Sequence, residues 1–110
     1  MVKDKTFYEE LIWTDDFGEF ARVLFTLNGL ALPPLIYIED QNCFYGYAIN
    51  TYRDKQYRIK VEIEPDVTGK EDDLTLVFWA GDFTDEELTK WKNSFEIGRL
   101  RYKDQEWQLQ

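Results

Sequence analysis

The chain contains no histidine, and that absence excludes more than any motif present includes. Without an imidazole there is no Ser-His-Asp or Cys-His nucleophile of the usual kind, and no histidine-bearing zinc site. Cysteine is nearly absent too, since Cys43 stands alone. A single thiol makes no intramolecular disulfide and no cysteine-rich metal centre, so Cys43 is read as a small buried hydrophobe. Three prolines and six glycines in 110 residues leave no linker, and no repeat or low-complexity tract is visible. No apolar run approaches the ~20 residues that a membrane span needs. The opening "MVKDKTFYEE" carries basic residues with no apolar stretch behind them, so no secretory signal is read there and a cytoplasmic setting is expected.

Positive charge is also scarce. Against 13 Lys and Arg stand 22 Asp and Glu, a net charge of −9 and a pI near 4.4. Such a molecule repels a phosphate backbone, so nucleic acid is not an expected partner. It attracts basic proteins and gains association rate with them through steering.

What is present is apolar and aromatic. The chain is 44% hydrophobic and 17% aromatic. A chain of this length buries roughly two thirds of its unfolded surface, so residues 1–110 are expected to form one domain around one core. The clearest strand is "YRIKVEIE", where Tyr57, Ile59, Val61 and Ile63 alternate with Arg58, Lys60, Glu62 and Glu64. Pro65 and Asp66 are expected to end it. Before it, "CFYGYAINTY" over 43–52 reads as its antiparallel partner, and "LIYIE" over 35–39 as a further strand. After the polar loop "VTGKEDD", the apolar run "LTLVFWA" over 74–80 suits a central strand. Connections this short make the set an antiparallel meander, with "RLRYK" and "EWQL" as a last small hairpin.

One or two helices are expected. The segment 15–28 reads as helix with a strand as its alternative, because Gly18 is a poor helix former and Asn28-Gly29 is also a hairpin signal. In "TDDFGEFARVLFTLNG", Asp16 and Glu19 resemble a capping box, and Phe17, Phe20, Ala21 and Leu24 share a face. Val23 and Phe25 fall off that face. Asn28-Gly29 stops the helix, placing it over 15–28. In "GDFTDEELTKWKNSFEIG", Thr84 and Glu87 make a capping box and Phe83 and Leu88 a hydrophobic staple. Asp85, Glu86 and Glu87 then sit where the helix dipole favours them, and Gly98 is the stop, giving a helix over 84–96. The same acidic run is not an EF-hand, because it lacks the central glycine and the glutamate at position twelve. The fold class is therefore α+β: an antiparallel meander sheet of four to six strands with one or two helices packed on one face.

Function follows from charge and aromatics. Tyr45 and Tyr47 lie on one parity of their strand, with Phe44 and Tyr52 on the other. One set of rings is therefore presented to solvent or covered by helices, and tyrosines among acids suit a protein interface. The expected contacts are Tyr45, Tyr47, Tyr52, Glu62, Glu64, Asp66, Glu71, Asp72, Asp73 and Asp82. The leading expectation is a non-enzymatic inhibitor or immunity-type protein that neutralises a basic partner such as a toxin nuclease. It carries no catalytic residue, metal or cofactor, has no membrane or nucleic-acid partner, and exists as a monomer or small homo-oligomer. Two alternatives are a carboxylate-dependent hydrolase or metal-binding enzyme using Glu62, Glu64 and Asp82, and a structural subunit of a homo-oligomer. The spacing of Glu62 and Glu64 suits paired carboxylates, but Arg58 and Lys60 on the same face make ion pairing the simpler use.

Overall fold

A computed structural model describes residues 4–50, 56–65, 73–81 and 94–109. Six strands form one antiparallel sheet in chain order: β1 (Ile36–Ile38), β2 (Cys43–Ile49), β3 (Gln56–Pro65), β4 (Leu74–Gly81), β5 (Ser94–Lys103) and β6 (Glu106–Leu109). Two helices, α1 (Lys5–Leu11) and α2 (Asp15–Leu27), precede the sheet and pack on one of its faces. The architecture is the α+β meander that the alternating patterns predict.

The covered face is built from cross-strand rows. Phe44, Val61, Phe78 and Gly98 form one row, and Ile63, Leu76 and Leu100 the next. Phe78 is fully buried at the centre of β4. The edge of its ring meets Phe25 of α2 with centroids 5.8 Å apart, a favoured aromatic geometry. Phe17 at the start of α2 reaches Trp107 of β6 at 5.2 Å, and Tyr8 of α1 stacks on Tyr37 of β1 at 4.8 Å. The two helices thus clasp the sheet from opposite edges.

Local chemistry explains both helices. Asp4 caps α1 by accepting the Phe7 amide at 2.9 Å. This two-turn helix lies outside the expected helices, because seven residues are too few to show a period. Thr14, and not Asp16, caps α2: its hydroxyl accepts the Phe17 amide at 3.4 Å and donates to the Leu11 carbonyl at 3.2 Å. Asp15 and Asp16 then occupy the first turn, favoured by the helix dipole. Phe25, expected off the apolar face, is fully buried with Phe17, Ala21 and Leu24, so the stripe is wider than one row. At the other end Asn28 Nδ2 donates to the Leu24 carbonyl at 2.8 Å and to the Ile97 carbonyl of β5 at 3.3 Å. Gly29 follows with φ 72°, the left-handed stop that Asn28-Gly29 predicts.

Several boundaries move. The strand expected over 35–39 shortens to Ile36–Ile38, followed by a 3-10 turn at Glu39–Gln41. The strand expected over 43–52 ends at Ile49, and Asn50 makes an isolated bridge with Leu30. β3 ends at Pro65, where the proline is expected to close it, in a last pair with Leu74. Of the helix expected over 84–96, residues 84–93 lie outside the described residues, but Ser94, Phe95 and Glu96 belong to β5. Gly98 is therefore no helix stop. It sits inside β5 with φ 157°, where an added Cβ would lie 2.4 Å from Leu24 Cδ1. Glycine suits the position on two counts: L side chains rarely adopt that backbone conformation, and Leu24 of α2 packs directly over it. Beside it a bulge at Phe78/Trp79 leaves Ile97 as the extra residue, turned into the core.

Candidate functional site

Among the described residues no helix packs on the sheet's other face, and four of the expected contact residues lie on it. Register places Ile36, Tyr45, Lys60, Trp79 and Glu96 in one row, with Tyr47 and Arg58 in the next. Tyr45 is half-buried, and Tyr47 is exposed together with Ile36 and Ile49. The Arg58 guanidinium lies over both tyrosine rings, 5.2 Å from Tyr45 and 5.5 Å from Tyr47. The Tyr45 hydroxyl donates to Gln41 Oε1 at 2.6 Å. Burial first, then neighbouring groups led by Cys43, push the Tyr45 phenol up to about 12. Burial likewise raises the Cys43 thiol, against the opposing pull of Tyr45 and Lys60, so it stays protonated and poorly nucleophilic at neutral pH.

Carboxylates on this face are matched by cations. Glu62 pairs with Lys60 at 3.8 Å, and Glu64 pairs across β4 with Arg99 at 3.6 Å. Arg99 also holds Glu96 at 3.0 Å. Lys60, Glu62, Trp79 and Ser94 line a shallow hollow of about 180 Å³ among the described residues. Asp73 is buried, and its carboxylate accepts the Asp104 amide at 3.2 Å, tying the β5–β6 turn to the start of β4. Tyr52, Asp66, Glu71, Asp72 and Asp82 lie outside the described residues. Among the described residues no three carboxylates or thiols converge to hold a metal ion, and no helix is long and apolar enough to cross a membrane.

Among the described residues, acids without ion pairs lie on the helices. Along α1 and α2, Asp4, Glu9, Glu10, Asp15, Asp16 and Glu19 are opposed only by Lys5 and Arg22. Lys5 pairs with Glu9 at 3.5 Å, and among the described residues none of Glu10, Asp15, Asp16 and Glu19 makes an ion pair. In the corner between the helices stands Trp13, 73% exposed. It borders an apolar groove of about 230 Å³ with Ile12, Phe17 and Gly18 on one wall and the segment 32–35, Leu-Pro-Pro-Leu, on the other. That second wall is stiff. Two prolines fix its backbone, and it crosses the sheet so closely that a Cβ on Gly46 would lie 2.7 Å from the Pro34 carbonyl oxygen.

Periodicity cannot find this groove, because its walls are separated in sequence and meet only through the fold. Two local signals point to it: a tryptophan between two helix caps, and a glycine inside a helix. Compared with protein-family models, with curated proteins and with solved structures, the chain matches none.

Proposed function

We propose that this chain is a small non-enzymatic binding protein that engages a basic protein partner, in the manner of an inhibitor or immunity protein, through its helical layer. The observation that carries the reading is the segregation of charge among the described residues. Acids on the open sheet face are neutralised by Lys60 and Arg99, whereas Glu10, Asp15, Asp16 and Glu19 stand exposed without ion pairs beside an exposed tryptophan. Exposed acids steer a cationic partner toward this layer, and a tryptophan beside an apolar groove supplies the desolvated centre that charge alone lacks. The hydrolase alternative gains no such support from Glu62 and Glu64, which are each held by a cation, and its third residue, Asp82, lies outside the described residues.

The test is affinity capture from native lysate at low and moderate salt, alongside a variant carrying Asp15→Asn, Asp16→Asn and Glu19→Gln. The wild-type chain is expected to retain a basic protein in stoichiometric amount, released as salt rises, and the variant to lose it. Recovery of the same protein by both chains removes the helical layer from the reading. Recovery of nothing but the chain itself favours self-association, for which exposed Ile36, Tyr47 and Ile49 are the candidate surface.

A further inference from the structure

Gly18 has no reason of its own to be glycine. It lies in the second turn of α2, has an ordinary helical backbone, and an added Cβ would find no atom within 4 Å. Alanine there would favour the helix by ~1 kcal/mol. The contrast with Gly46 and Gly98, whose missing side chains are filled by the chain's own atoms, is direct. At Gly18 the space is left open, and it opens into the groove walled by Trp13, Phe17 and the Leu-Pro-Pro-Leu segment.

We infer that this groove is the seat for one apolar side chain, aliphatic or aromatic, carried on a lysine- or arginine-rich segment of the partner; the inference rests on the binding function proposed above. Three features identify the occupant. At about 230 Å³ the groove is smaller than the ~300–1,000 Å³ typical of metabolite and cofactor sites, so it suits an anchor residue. Its described walls are side chains of Ile, Trp, Phe, Leu and Pro with no charged group among them, so the anchor is apolar. Asp15, Asp16 and Glu19 interleave with the wall residues along α2 and are exposed, so residues flanking the anchor are cationic. The proline wall and the capped helix hold the groove open before binding, which reduces the ordering cost of association.

The test uses the full chain and a synthetic peptide series in which a central alanine, leucine or phenylalanine is flanked by lysines, with a glutamate-flanked peptide as control. Binding is read by fluorescence anisotropy at two salt concentrations. Leucine or phenylalanine at the centre is expected to strengthen binding about tenfold or more over alanine, the value of burying one such side chain. Gly18→Leu, which fills the groove without changing charge, is expected to abolish that gain while keeping the weaker, salt-sensitive binding of every lysine peptide. Trp13→Ala, at a position exposed enough to spare the fold, is expected to reduce the gain as well. A gain that survives both substitutions, or no difference between central residues, overturns the groove. If lysine-flanked peptides bind no better than the glutamate-flanked control, the basic-partner reading itself falls.

Discussion

At the level of single residues, two glycines separate structure from function. Gly98→Ala would drive a methyl into Leu24 across the α2–β5 contact. It is expected to lower stability by ~1–3 kcal/mol in chemical denaturation, as overpacked sites do. Gly18→Ala meets nothing and is expected to raise stability by up to ~1 kcal/mol in the same assay. A loss at Gly18 would mean that the space above it is already filled. Titration is a second residue-scale property. Tyr37, Cys43 and Tyr45 all have folded-state values raised above their ordinary ones, chiefly by burial. A raised value means that the folded state holds its proton more tightly than the unfolded chain. The stabilisation is therefore complete below the unfolded value and fades as pH climbs through the folded one. Denaturation midpoints are expected to fall between the thiol's ordinary range and about 12, with Tyr45 ionising at the upper end of that range in an ultraviolet tyrosinate titration. Native Cys43 is expected to resist alkylation at neutral pH until the chain is unfolded.

Among the elements, the β5–β6 turn is held against its own sequence. Asp104 and Gln105 have φ of 53° and 64°, a left-handed pair that Asn-Gly adopts with less strain. Replacing the pair with Asn-Gly is expected to stabilise by ~1 kcal/mol, measured by thermal and chemical melts. Elements were legible where one physical signal dominated. β3 announced itself because alternation between core and water leaves a strict period of two, and α2 because four core residues repeat at helical spacing. Reading failed where a local signal had a tertiary cause. Gly98 resembles a helix stop, yet it is glycine because Leu24 presses on it from another element. Of the expected contacts, Tyr45, Tyr47, Glu62 and Glu64 do share one face, as parity dictates. The groove stayed hidden because no window of sequence contains both of its walls.

On the scale of the whole molecule, charge is divided between layers. Among the described residues, the sheet face away from the helices balances Arg58, Lys60, Arg99, Arg101 and Lys103 against Glu62, Glu64, Glu96 and Glu106, while the helices carry six acids against Lys5 and Arg22. Exposed pairs on that sheet face contribute only ~0–1 kcal/mol each, so Glu64→Gln is expected to leave stability nearly unchanged. Repulsion among the helical acids is the larger effect. Moderate salt, which screens charges beyond ~8–10 Å, is expected to stabilise the free protein while weakening its grip on a cationic peptide. Opposite salt responses for folding and for binding, recorded on one preparation, would tie both to the same layer. Loss of stability with added salt would contradict it.

Strand order that copies chain order has a consequence for how the molecule is born. The helices leave the ribosome before the sheet, yet α2 rests on β5 and β6, and Phe17 packs against Trp107 of β6. Until those strands have been translated, the apolar stripe of α2 is covered only in part, by Phe78 of β4. Nascent chains arrested before residue 100 should therefore be digested readily by protease across α2, and completion of the last hairpin should protect it all at once.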